Sequence, residues 1–153
     1  MKYTISIIDK DISEKDFRQC CGLLLKQMYA INSKSEIEAV NRGFKLGLNN
    51  SDTTKIFAVR TEDSEIVGIA YANKGTSITK AGYYLWINEL HVQAKHRRKG
   101  IAKQLVNFII DWCKMENIAG ISLISDVDNE IAQGLYQQFG FEAEEVLIFD
   151  KVF

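Results

Sequence analysis

The sequence predicts an α/β fold: a mixed, mostly antiparallel sheet with one parallel strand–helix–strand crossover and helices on both faces. Three observations carry this. Short β-branched and aromatic runs alternate with helical stripes in the order β, α, α, three strands, α, β, α, β across 153 residues. The segment 100–117, GIAKQLVNFIIDWCKMEN, is apolar over more than half its circumference, so it lies against a sheet. It also separates the strands at 83–92 and 120–127, and such a unit closes as a right-handed parallel crossover. No repeat, linker or low-complexity segment interrupts the order, so one domain spanning 1–153 is expected.

The elements follow in turn. KYTISIID (2–9) is a short β-branched strand. Ser13 and Asp16 have capping-box spacing, and behind them Phe17, Cys21, Leu24, Leu25 and Met28 keep helical spacing. A second helix is expected near 35–48 on the stripe Ile37, Val40, Phe44 and Leu48, weakened at Gly43 and Gly47. KIFAVRT (55–61) and EIVGIAYANK (65–74) flank the turn EDS as an antiparallel hairpin. YYLWINELHV (83–92) is the next strand. Strict alternation puts Leu85, Ile87, Glu89 and His91 on one face and Trp86, Asn88, Leu90 and Val92 on the other. GISLISDV (120–127) is a strand and NEIAQGLYQQF (129–139) a helix stopped by Gly140 at C′. FEAEEVLIFDKVF is expected as a final strand.

Composition narrows the function. Hydrophobic residues at 46% and charged residues at 25% suit a globular chain. No apolar run approaches the roughly 20 residues of a membrane span, and the N-terminal stretch lacks a signal peptide's apolar core. A cytoplasmic location without membrane partners is the expectation. The net charge of −1 argues against a nucleic-acid partner. Three cysteines without CxxC spacing argue against structural zinc or a disulfide framework, and no metal-ligand cluster appears. A covalent role for Cys113 is not expected, since no histidine is placed by sequence to activate it.

The basic residues gather instead in KHRRKGIA, between a strand and a helix. A helix N-terminus offers unpaired amides and the positive end of the macrodipole, so a glycine-led helix start after a strand suits a phosphate. The P-loop run GxxxxGK[ST] is absent, and the single glycine of this loop excludes a GxGxxG fingerprint. A plain basic surface loop is the bland alternative.

Arg97-Arg98-Lys99-Gly100-Ile101-Ala102 fits [QR]-x-x-G-x-[GA]. Downstream, LISDVDNEIAQGLYQQFGF supplies Asn129, Tyr136, Gly140 and Phe141 in the order Asn-led helix, then Tyr-x-x-x-Gly-Phe. Together these motifs resemble the GNAT superfamily of acyl-CoA N-acyltransferases. Element order matches along the whole chain, and residue-level matching is confined to about 83–141. Two departures stand out: Ala94 replaces a proline common after the fourth strand, and one strand takes the place of a closing pair.

The resemblance implies acetyl-CoA as co-substrate, with no metal. Backbone amides of Arg97, Arg98, Lys99, Gly100, Ile101, Ala102 and Lys103 would hold its pyrophosphate. The strand at Leu90, His91 and Val92 would pair with the pantetheine arm, and Asn129 would cap its helix and touch the cofactor. Tyr136 would protonate the departing thiolate. Glu89 would take a proton from the amine, with His91 the weaker candidate, and a backbone N–H such as that of Val92 would hold the oxyanion. The partner implied is a small-molecule or peptide amine: an aminoglycoside, polyamine, amino acid or protein N-terminus. Glu36, Glu38, Glu142, Glu144, Glu145 and Asp150 would favour a cation. EEVLIFDK with HRRKGIA also resembles the aminoglycoside 3-N-acetyltransferase branch. A homodimer is compatible with the sequence. The competing expectation is a fold of this type that binds CoA without turnover.

Overall fold

The computed structural model describes residues 2–27 and 34–153. Met28, placed by sequence on the first helical stripe, lies outside them. Backbone contacts cluster into two compact units, Met1–Leu123 and Ile124–Phe153.

The first unit holds β1 (Thr4–Ile8), α1 (Glu14–Gln27), α2 (Lys34–Leu48), β2 (Thr54–Arg60), β3 (Ile66–Ser77), β4 (Gly82–Val92), α3 (Ile101–Met115) and β5 (Gly120–Leu123). The sheet order is β1-β2-β3-β4-β5, all antiparallel except the parallel pair β4–β5. That pair is the crossover expected around the 100–117 helix.

Each face of the sheet has its own core. On one, Leu105, Ile109 and Trp112 of α3 pack on Phe57, Val67 and Leu85. On the other, Cys20, Leu23 and Leu24 of α1 and Phe44 of α2 pack on Ile56, Ala58 and Ile69. The thiols of Cys20, Cys21 and Cys113 are buried and unpaired, and burial pushes each up to about 12.

Half of the predicted capping box forms. The Asp16 amide donates to Ser13 Oγ at 3.1 Å. The reciprocal arm is absent because the Asp16 carboxylate accepts from Arg60 of β2 at 2.8 Å, a charge-assisted bond.

The second unit contains α4 (Glu130–Gln138). The expected final strand does not form: residues 141–153 carry no ladder, and Leu147, Phe149 and Phe153 are exposed. β-propensity marks a side chain that fits a pleated surface, but a strand also needs a partner edge for its amides. β5 is shorter than expected too, ending at Leu123 instead of 127.

Candidate functional site

The site begins with a fault in β4. Tyr71 of β3 opposes Glu89 while Ala72 opposes Ile87, so Asn88 is an extra residue, a β-bulge. The Asn88 side chain donates to Asn73 of β3 at that point. The bulge shifts every later side chain to the other face. Leu85, Ile87, Leu90 and Val92 therefore all meet the α3 core. Glu89 turns toward α1 and α2, as does His91, bonded to Gln27 of α1. This corrects the strict alternation expected for 83–92. The signal was present: Leu85 and Ile87 have one parity, Leu90 and Val92 the other, and the polar pair Asn88-Glu89 lies between.

The bulge also parts β4 from β5. Their pairing ends at Ile87 with Leu123. Past it, β4 keeps β3 on one side and no strand on the other among the described residues. The Gln93 amide donates to Val67 of β3 at 2.8 Å, so by ladder alternation the backbone of His91 also faces β3. The N–H and C=O groups of Leu90 and Val92 then point to the open side. Arg97 Nε reaches the Val92 carbonyl there at 3.0 Å. Leu90 and Val92 thus present backbone to the open edge, and His91 is set apart from them.

The loop after β4 distributes its basic residues unequally. A single 3₁₀ turn covers Ala94–His96. Lys95 pairs with Glu65 at 3.5 Å. His96 is buried, with Nδ1 3.0 Å from the Tyr3 hydroxyl. Arg97, Arg98 and Lys99 are all exposed, and Arg97 alone of them is tied to the Val92 carbonyl. Arg98 and Gly100 both adopt left-handed backbone, with φ of 64° and 74°. Gly100 is the N-cap of α3 and offers no side-chain cap; no acidic residue follows in the first turn. The leading amides of α3, at Ile101, Ala102 and Lys103, face no carboxylate from their own turn. A Cβ on Gly100 would meet nothing within 4 Å, so its conformation, and not crowding, calls for glycine.

On the α1/α2 side, Glu89 lines a cleft of about 560 Å³ with Leu24, Glu36, Val40, Phe44 and Tyr71. Burial raises the Glu89 carboxyl above its ordinary value. His91 Nδ1 lies 3.0 Å from Gln27 Oε1, an acceptor, which places the ring proton on Nδ1. Burial first, then Arg97 and Lys26, lower His91, so the ring is neutral at pH 7. Sequence reasoning missed Tyr71 and Gln27 because nothing local marks a residue that faces a cleft formed by other elements.

In the second unit, Asn129 Oδ1 accepts from the Ala132 amide at 3.1 Å and caps α4, as expected. The Tyr-x-x-x-Gly-Phe spacing has a structural cause. Phe141 N donates to Tyr136 O at 3.2 Å and Gly140 N to Gln137 O at 3.1 Å, with Gly140 at φ 84°. This is a Schellman cap. Its hydrophobic contact is Tyr136 on Phe141, ring centroids 5.7 Å apart. Burial raises the Tyr136 phenol, so it is protonated at neutral pH. Glu142, Glu144, Glu145 and Asp150 are exposed along 142–150. No group of metal-ligating side chains occurs among the described residues.

A mixed sheet opened by a bulge thus leads through a short loop into a glycine-capped helix start. The family model for the acetyltransferase (GNAT) family matches residues 23–141, and the chain belongs to that family. It is 32% identical over 87 residues to an uncharacterized N-acetyltransferase, YhdJ, of Bacillus subtilis (strain 168), a match covering 56% of this chain and 61% of that one. The match thus spans less than two thirds of that relative. The structure is similar to that of an aminoglycoside acetyltransferase, HMB0005, from an uncultured soil metagenomic sample (TM-score 0.76, 25% identity, 100% and 99% of the two chains covered). It also shares its fold with the aminoglycoside N-acetyltransferase AAC(6')-Iy in complex with CoA (TM-score 0.74, 19% identity, 99% and 95% covered).

Proposed function

We propose that the chain is an acetyl-CoA-dependent N-acetyltransferase acting on a primary amine, with residues 1–153 working as one domain. The observation that carries the reading is continuous along the backbone. The edge of Leu90 and Val92, free of a neighbouring strand among the described residues and touched only at the Val92 carbonyl by Arg97, runs through left-handed Arg98 and Gly100 into the leading amides of α3. Such an edge suits an extended, amide-bearing arm, and such a helix start suits a pyrophosphate. The CoA complex of a protein with the same fold supports this choice of co-substrate.

In this reading the amine attacks the thioester carbonyl directly. A C–N bond forms, the C–S bond breaks, and an amide and CoA thiol result. Glu89 accepts the proton that the ammonium loses, and its raised pKa brings it nearer the working pH. Tyr136, protonated at pH 7, returns a proton to the thiolate. The Val92 N–H on the open edge is the oxyanion donor. In this reading the amides of residues 97–103 hold the pyrophosphate, Leu90 and Val92 the arm, and Asn129 is a further cofactor contact.

Thiol release from acetyl-CoA against a panel of amines tests the reading. Intersecting double-reciprocal lines are expected for a ternary complex, and parallel lines would sink direct attack. CoA binding without turnover of any amine would favour a non-catalytic CoA-binding module.

A further inference from the structure

We propose that Asn73 is a positioning residue for Glu89: by holding the Asn88 side chain aside along the sheet, it leaves the Glu89 carboxyl alone opposite Tyr71 in the cleft. This deepens the acetyltransferase reading and rests on its choice of base. The bulge creates the need. Ile87 and Leu90 both belong to the α3 core, so the two residues between them, Asn88 and Glu89, both line the cleft on the α1/α2 side. Two consecutive side chains then share the place across from Tyr71 of β3, where a regular pair would put one.

A relay of hydrogen bonds separates them. The Asn88 side-chain amide donates to Asn73 Oδ1. Asn73 lies two residues beyond Tyr71 on β3, hence on the same face, so this bond draws Asn88 away from Tyr71. Asn73 Nδ2 in turn donates at 3.2 Å to Oγ1 of Thr54, its direct cross-strand partner on β2. With its nitrogen turned to β2, Asn73 presents its oxygen to β4. Thr54 is buried and is also hydrogen-bonded to the Tyr71 side chain. α2 closes over this end of the relay: a Cβ on Gly47 would collide with the Tyr71 hydroxyl and lie 2.9 Å from Thr54 Cγ2. The Glu89 carboxyl itself is perturbed by burial alone, with no contribution from a charge or a hydrogen bond among the described residues. Its direction is therefore set by the room that Asn88 and Tyr71 leave it.

A carbon-13 NMR titration of the Glu89 carboxyl in the full chain reads its burial without any amine or cofactor. Wild type should titrate above the ordinary carboxylate value. Asn73→Ala frees Asn88 to crowd Tyr71, so the carboxyl should move toward water and its midpoint fall back toward the ordinary value. Asn88→Ala, which removes the competitor, should keep the midpoint raised. The double variant should match Asn88→Ala, because Asn73 then has nothing left to hold; a general loss of structure at Asn73 would not be repaired by truncating a second side chain. CoA affinity should stay within about twofold throughout, since the open edge of β4 and the start of α3 are untouched. An unmoved midpoint in Asn73→Ala overturns the proposal, and so does a double variant that titrates like Asn73→Ala. Thiol release from acetyl-CoA with the fastest amine of the panel gives the second readout. There Asn73→Ala should lower kcat about tenfold at constant KM for acetyl-CoA, and should add no loss to Asn88→Ala. Midpoints that move as expected while kcat does not would remove Glu89 as the base and leave its positioning by Asn73 standing.

Discussion

Replacing Gly100 by alanine separates backbone conformation from packing at the start of α3. The residue sits at φ 74°, and an added Cβ would meet no atom within 4 Å. Crowding contributes nothing, so the cost is conformational: about 1–2 kcal/mol for an L-residue in left-handed backbone. The unfolded chain also loses freedom, which returns about 0.4–1 kcal/mol. The net is a destabilisation of about 1 kcal/mol, or about 2–4 °C in Tm for a chain of this size. Gly22→Ala is the control. Gly22 lies inside α1, also with nothing within 4 Å, and has no left-handed φ. There the same added methyl should stabilise by about 1 kcal/mol through helix propensity. Urea unfolding followed by tryptophan fluorescence and circular dichroism gives both values, provided the slope with denaturant is unchanged. Gly100→Asn, which tolerates this region better, should fall between wild type and alanine. CoA affinity should fall for Gly100→Ala alone. A Gly100→Ala protein as stable as wild type would refute the conformational argument.

Three further outcomes are expected. Glu89→Gln should lower kcat by about 10²-fold or more, as loss of a general base does. The same change should raise stability at pH 7: the folded carboxyl has a raised pKa, so its penalty grows as pH rises from the ordinary carboxylate value to the raised one. Denaturation at about pH 3 should show no such gain, because Glu89 is then protonated in both states; an equal gain at both pH values refutes the burial argument. Tyr136→Phe should cut kcat at least about tenfold and leave CoA affinity within about twofold; an unchanged kcat removes the phenol from the reaction. Cys20, Cys21 and Cys113, each pushed up to about 12, should resist a thiol reagent at about pH 8 until urea unfolds the chain, and fast labelling of the native protein would contradict their burial.

Much of the fold was legible because it depends on short-range pattern. The helical stripe of α3, the hairpin at 61–65 and the Gly140 stop all appear as residue types at fixed spacings. The site was legible in part. Gly100 and Asn129 announced themselves as terminus residues, and both occupy caps. The Tyr136 to Phe141 spacing was recognisable as a motif, but its cause, a Schellman cap with an aromatic contact, required the backbone. The final strand was misjudged at 141–153 because strand propensity there is real while its partner edge is a non-local matter.

Local chemistry along the chain was enough to settle the class of fold, the glycine turn and the family motifs, since each is carried by residues a few positions apart. The faces of β4 were another matter. Whether Asn88 bulges depends on how Tyr71 and Ala72 of β3 meet it, 16 or more positions away in the chain. That one extra residue turns Glu89 and His91 toward α1 and α2, leaves Leu90 and Val92 over the α3 core, and ends the β4–β5 pairing at Ile87. A period-2 pattern has no memory of its register, so the strand's sequence alone did not say which side of the sheet would carry the carboxylate.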